Sequence, residues 1–249
     1  MSSLDTQAIL ERRDFFPRGL VQPEGGYRFS MDSLLLACFA TPGRRHVGLD
    51  IGCGCGAVGI GMLLRRPDLK ITGIELDQAA AMAAEENRVG LHLIDKLTIE
   101  RGDVSTWRPE KVVDFVVSNP PFRELGRGRV SQGDERKAAR FEGDADFAAF
   151  ARCAAVALKT KGKFAFVHLP ERLPEIMAGL AKAKLEPKRM RLVYGRAGEV
   201  AKMVLMETVK AGGSGLKVEP PLVLHEGDGR DTRLTKEALE FCDFLDCNR

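Results

Sequence analysis

The sequence predicts an α/β fold built on a doubly wound, mainly parallel sheet with an antiparallel edge hairpin. Two observations carry that prediction. Short apolar strands alternate with helices along most of the chain, which is the pattern of a sheet wound with crossover helices. Near the end, two strands follow one another with no helix between them, and such a pair needs no crossover.

Each element has its own signal. Residues 1–28 carry Pro17, Pro23, Gly25 and Gly26 and form an irregular lead-in. Asp32 before Ser33-Leu34-Leu35-Leu36-Ala37 reads as an N-cap and a buried helix. Residues 46–51 form a short buried strand, and 57–66 a helix closed by Pro67. A strand over 70–76 leads to an alanine-rich helix over 78–89 that ends at Gly90. Strands over 97–101 and 115–118 precede a long polar loop from Arg123 to about Asp144. A helix over 147–158, a strand over 163–168 and a helix over 171–182 follow, then the hairpin strands 189–194 and 201–207. The tail holds a Gly/Pro-rich stretch (Gly212-Gly213-Ser214-Gly215, Pro220-Pro221) and a last helix over 234–245. No internal repeat and no domain boundary falls inside 29–209.

Composition narrows the function classes. With 44% hydrophobic and 29% charged residues, a globular protein is expected. The longest apolar run, 34–40, is far short of a membrane span, and the first residues lack a signal-peptide core. Both argue for the cytoplasm. The cysteines (Cys38, Cys53, Cys55, Cys153, Cys242, Cys247) show no zinc-ligand spacing, so reduced structural thiols, no disulfide and no metal are expected. Net charge is only +3, but it is unevenly placed. Lys182, Lys184, Lys188, Arg189, Arg191 and Arg196 face Glu186 alone, and six bases face three acids between Arg123 and Arg140. Two such clusters point to a polyanionic partner.

Leu49-Asp50-Ile51-Gly52-Cys53-Gly54-Cys55-Gly56 lies between the first strand and its helix. Glycines there let the backbone approach a ligand, and the helix start offers free N–H groups. Gly54-x-Gly56-x-x-Gly59 with Glu75 following also fits a dinucleotide fingerprint. Three carboxylates decide against it. Asp50 precedes the first glycine, where it suits a cationic amino acid moiety and would repel a pyrophosphate. Glu75 ends the second strand, placed for ribose hydroxyls, and Asp103 ends the third, placed for an adenine amino group. Acids after three successive strands, in this order, indicate S-adenosyl-L-methionine as cofactor.

The fourth strand ends in Ser118-Asn119-Pro120-Pro121-Phe122. Two prolines remove two backbone donors and hold the turn extended. Acceptors remain: the Asn119 side-chain carbonyl and the Pro120 main-chain carbonyl. They suit an exocyclic amine of adenine, cytosine or guanine, or a glutamine amide, whose N–H groups they accept as the nitrogen pyramidalises. Phe122 supplies a flat face for a base splayed from a loop or flipped from a helix.

These residues resemble the Rossmann-like N-methyltransferases with an (Asn/Asp/Ser)-Pro-Pro-(Tyr/Phe) motif, and within them the tRNA1(Val) adenine-37 N6-methyltransferase family. The resemblance covers about 25–235 and includes Tyr27-Arg28-Phe29-Ser30-Met31-Asp32, Asn119 to Arg123, Ala139-Arg140-Phe141-Glu142, and Lys202 to Glu207 with Gly215 to Leu222. It implies a Rossmann-like class I methyltransferase over 29–209, with a C-terminal extension over 210–249 packed on the same domain. It places Ser30, Asp32, Asp50, Gly52 and Gly54 at the cofactor, Glu75 on its ribose, and Asp103 and Val104 on its adenine. It makes Asn119, Pro120, Pro121 and Phe122 catalytic, with Asn119 also touching the cofactor. The implied partner is tRNA or another structured RNA, contacted by Arg123, Arg127, Arg129, Lys188, Arg189 and Arg191. The family more often has tyrosine at Phe122 and commonly histidine at Phe141, and phenylalanine in the first slot is also familiar among guanine-N2 rRNA methyltransferases. Glutamine N5-methyltransferases of release factors share Asn-Pro-Pro but carry an N-terminal helical domain, for which about 28 residues are too few. A non-enzymatic RNA-binding module would not need the intact tetrapeptide.

Overall fold

The computed structural model describes residues 16–23, 29–121 and 147–248. Among these, ten strands form one sheet sandwiched between helices. The chain runs through α1 (Met31–Phe39), β1 (Val47–Ile51), α2 (Ala57–Arg65), β2 (Lys70–Glu75), α3 (Gln78–Gly90), β3 (Leu97–Arg101) and β4 (Val113–Ser118). It continues through α4 (Phe147–Ala157), β5 (Leu158–His168), α5 (Leu173–Lys182), β6 (Leu185–Arg196) and β7 (Ala201–Lys210). The tail adds β8 (Lys217–Val218), β9 (Leu222–Glu226), β10 (Arg233–Leu234) and α6 (Lys236–Phe241).

The strand order is β10-β9-β6-β7-β5-β4-β1-β2-β3, with β8 also on β6. From β5 to β3 every pairing is parallel, which requires the crossover helices between those strands. Strands buried on both faces read as apolar runs, and Phe115-Val116-Val117 in β4 is one, each at most 2% exposed. One apolar cluster joins α1, α2 and α6 to one face of the sheet. A second packs α4 and α5 against the other. Successive side chains of a strand point to opposite faces, so Leu49 and Ile51 join the second cluster while Phe115 and Val117 join the first.

Three local expectations are corrected. Helix α1 starts two residues early, with extended Ser30 at the N-cap and Asp32 in the first turn. The β6–β7 hairpin is antiparallel but is not the edge, since β9 pairs with β6 in parallel and β10 covers β9. The last expected helix is a short strand, α6 and a 3-10 turn, because Cys242 has extended backbone and interrupts the helix. The long loop after β4 lies outside the described residues. No described helix is long and apolar enough to cross a membrane.

Candidate active site

In a doubly wound sheet the crevice lies at the carboxyl ends of the strands, and the residues singled out in the sequence converge there. Asp50, near the end of β1, is 1% exposed. Its Oδ2 accepts the Gly59 N–H at 2.9 Å, tying β1 to α2. Its Oδ1 is buried with no partner. Burial, with Glu75 nearby, pushes the Asp50 carboxyl up to about 7, against the pull of the Gly59 N–H. A buried carboxylate that lacks a counter-charge holds a proton, and a cation beside it would restore ionisation.

The glycine loop between β1 and α2 is fastened to β2. Gly52 and Cys53 donate to the Ile74 carbonyl at 2.8 and 3.1 Å, and Gly54 donates to Glu75 Oε2 at 2.7 Å. Glu75 Oε1 accepts the Asp77 N–H at 2.9 Å, and burial raises the Glu75 carboxyl above its ordinary range. Gly54 sits at φ +56°, and a Cβ there would meet nothing within 4 Å. Its left-handed backbone thus borders open space, as a surface approached by a ligand should. Asp103, after β3, is partly buried, and its Oδ1 accepts the Ser105 N–H at 2.8 Å. Val104 beside it packs against the α4–α5 cluster.

Asn119 closes the crevice from β4. Ser118 Oγ donates to the Ile51 carbonyl at 2.8 Å, which locks the ends of β1 and β4 together. Asn119 then meets the first turn of α1, its Nδ2 donating to Ser33 Oγ at 2.9 Å. Asn119 Oδ1, like Asp50 Oδ1, is buried without a partner. These are the two buried side-chain polar atoms of the described residues with no hydrogen bond. Both lie at the ends of adjacent strands. Native proteins rarely leave buried polar atoms unpaired, so two orphans at the ends of adjacent strands point to a place shaped for a ligand. Ser30 and Asp32 stand on the same turn: Ser30 Oγ and the Ser33 N–H both donate to Asp32 Oδ1. Pro120 is buried and Pro121 exposed, while Phe122, Arg123, Arg127, Arg129 and Phe141 lie outside the described residues.

Residues 30–174 match the family model described as the methyltransferase small domain, more than half of the chain. The chain belongs to the methyltransferase small domain family. Among named relatives, a tRNA1(Val) (adenine(37)-N6)-methyltransferase of Vibrio parahaemolyticus is 28% identical over 228 residues, covering 88% of this chain and 90% of the relative. One of the same name from Salmonella enteritidis is 33% identical over 146 residues, covering 57% of this chain and 58% of the relative. A solved structure of a predicted O-methyltransferase from Agrobacterium tumefaciens superposes with a TM-score of 0.69 at 21% identity, covering 86% of this chain and 96% of that one. A putative RNA methyltransferase from Pyrococcus horikoshii gives a TM-score of 0.53 at 18% identity, covering 84% and 98%. The fold is therefore that of the class I methyltransferases.

The crevice of this methyltransferase fits S-adenosyl-L-methionine, its cofactor. The orphan Asp50 Oδ1 suits a cationic end, the bare Gly54 backbone a close approach, and Glu75 and Asp103 each keep lone pairs for hydroxyl or amino donors. Among the described residues no group of three or more His, Cys, Asp or Glu is placed to hold a metal ion. The thiols of Cys38, Cys53, Cys55, Cys153 and Cys242 are free.

Lys188, Arg189 and Arg191 of the second basic cluster, expected at an RNA, are engaged by groups of the chain itself. Arg189, its side chain 21% exposed, pairs with Glu219 at 2.7 Å and Glu207 at 3.4 Å. It also donates to the Phe39 carbonyl at 3.1 Å and lies 4.2 Å over the Phe39 ring. Arg191, 12% exposed, pairs with Glu237, donates to the Pro220 carbonyl at 3.0 Å and stacks on Phe241. Lys188 Nζ donates to the carbonyls of Gly213 and Ser214. These charges hold the C-terminal extension to the sheet. In sequence they resembled an RNA patch because their acidic partners stand up to 46 positions away. Ser33, which meets Asn119, has no signal in the sequence beyond being a serine in the first turn before the glycine loop, because its partner is 86 positions distant.

Proposed function

We propose that this methyltransferase transfers a methyl group to the exocyclic N6 of an adenine in tRNA, at position 37, in the cytoplasm. The observation that carries the reading is the unpartnered, buried Asn119 Oδ1 at the end of β4, followed by two prolines that deny the turn its own donors. When bound, the cofactor supplies an electrophilic methyl group. Asn119 Oδ1 accepts one N–H of the target amine and the Pro120 carbonyl accepts the other. Both acceptors gain strength as the nitrogen becomes cationic, so their effect falls on the transition state. No general base is required, because the proton leaves after the methyl group has arrived. The names borne by the Vibrio and Salmonella relatives support adenine and tRNA over other amines. Arg123, Arg127 and Arg129 remain the proposed phosphate contacts.

Incubation with total tRNA and labelled S-adenosyl-L-methionine, followed by nucleoside analysis, tests this. Label is expected in N6-methyladenosine. Label in N2-methylguanosine, or in protein glutamine alone when a lysate is supplied, would replace the adenine reading.

A further inference from the structure

An asparagine amide can present either end to a cleft. In this structure Asn119 Nδ2 is turned to Ser33 Oγ, and Oδ1 is left buried and unmet. The reverse orientation would set Oδ1 on the serine hydroxyl and turn two N–H donors into the same dry space. Either orientation keeps one group on Ser33; what changes is whether an acceptor or donors face the crevice. Donors in that position would repel an arriving amine, whereas an acceptor attracts it.

We propose that Ser33 is a positioning residue for methyl transfer: by accepting from Asn119 Nδ2 it holds the amide with its carbonyl oxygen toward the amine to be methylated. The inference rests on the role given to Asn119 above. Ser33 is itself well held. It is 4% exposed, its N–H donates to the Ser30 carbonyl at 3.1 Å, and Asp32 Oδ1 accepts the same N–H at 3.1 Å. At the other end, Ser118 Oγ anchors the β4 terminus to β1 at 2.8 Å. The hydrogen bond therefore joins a helix turn and a strand end, two elements rigid enough to keep an acceptor in place. Ser30 and Asp32, the α1 residues expected at the cofactor, belong to the same turn. A bound cofactor that orders this turn would therefore also order Asn119.

A double-mutant cycle tests the proposal, because aspartate has two equivalent oxygens and no orientation to hold. Ser33→Ala is expected to lower kcat about tenfold, the scale of one hydrogen bond, with cofactor Kd and RNA KM nearly unchanged. In an Asn119→Asp background the same substitution should cost less than about twofold. Ser33→Thr keeps the hydroxyl and should recover most of the rate. Equal losses in both backgrounds, or no loss in the parent, would overturn the proposal. So would a Ser33→Thr variant that keeps the parent's melting temperature and is as slow as Ser33→Ala. A second readout needs no substrate: the side-chain amide signal of Asn119, assigned by its disappearance in Asn119→Asp, should exchange slowly in the parent and rapidly in Ser33→Ala. Fast exchange in the parent would refute the role of Ser33. If the parent methylates no tRNA adenine, the adenine reading falls, and the amide spectrum still decides on Ser33.

Discussion

The two ends of α1 present opposite uses of buried polarity. Its first turn meets Asn119, whose Oδ1 has no partner, and on the adjacent strand the Oδ1 of Asp50 has none either. Beyond its last turn, about 14 Å along the axis, the Phe39 carbonyl and Thr41 enter a network in which Glu207 is surrounded by donors. Glu207, 4% exposed, accepts from the Thr41 hydroxyl at 2.6 Å and pairs with Lys163 at 3.3 Å and Arg189 at 3.4 Å. Both ends are charged or polar, and both are buried. The satisfied end binds the hairpin and C-terminal extension to the core. The unsatisfied end leaves a buried oxygen on each of two adjacent strand ends without a partner in the chain. Charge alone does not separate structure from function in this molecule; whether each buried polar atom is paired does.

The comparison is sharpest at Asn119. Asn119→Ala should lower single-turnover rate by about 10²–10³-fold, the range for removing one preorganised polar group. Its stability should fall by only about 1 kcal/mol, since the carbonyl made no contact in the folded chain and the one bond lost is that from Nδ2 to Ser33 Oγ. A larger fall in stability with near-normal rates in the folded fraction would return Asn119 to a structural role. The opposite pattern is expected at the other end of α1. Glu207→Ala leaves Lys163 and Arg189 without their shared acceptor and should destabilise the protein by about 3 kcal/mol, with cofactor affinity unchanged. Denaturant melts and calorimetry on the same preparation would show whether the two properties separate.

Asp50 offers a smaller effect with a distinctive pH dependence. Asp50→Asn should weaken cofactor binding by about 1–3 kcal/mol, as for a lost charged hydrogen bond. In the parent, only the ionised carboxylate holds a cation, and burial keeps the group protonated below about 7. Cofactor affinity should therefore rise as pH increases from about 5.5 to 7.5, and calorimetry on Asp50→Asn should find that slope abolished. Stability of the ligand-free protein should move the other way. The folded protein holds this proton up to about 7 against 3.8 as the reference, so the contribution is complete below about 4 and is lost as pH rises through 7. His168 opposes it over part of that window. Burial lowers its pKa to about 4, so its contribution is present above 6.5 and lost as pH falls. The difference between parent and Asp50→Asn melts isolates the aspartate.

The smallest effect should come from Arg191. Arg191→Met keeps much of the contact with Phe241 while removing the pair with half-exposed Glu237, so a loss of about 1 kcal/mol or less is expected. Binding of tRNA and its salt dependence should be unaffected. A salt slope reduced by about one would restore Arg191 to the RNA interface.

Much of the molecule was legible in the chain. The alternation of apolar strands and helices, the glycine loop after β1 and the prolines after β4 are local patterns, and local backbone sterics and side-chain periodicity determine them in any context. Strand-end carboxylates at Asp50, Glu75 and Asp103 were readable for the same reason: a parallel sheet puts the ends of successive strands along one crevice. What only the tertiary structure decided were the pairings across long separations. The tail, not the β6–β7 hairpin, takes the sheet edge, since β9 adds to β6 through backbone hydrogen bonds that carry little sequence signature. Arg189 and Arg191 became structural because Glu207, Glu219 and Glu237 were folded onto them. Ser33 reached Asn119 because the first turn of α1 is set against the residue that follows β4. A basic residue's partner is not written in its sequence neighbours; desolvation in the folded state decides which charges must be paired and which polar atoms are left open.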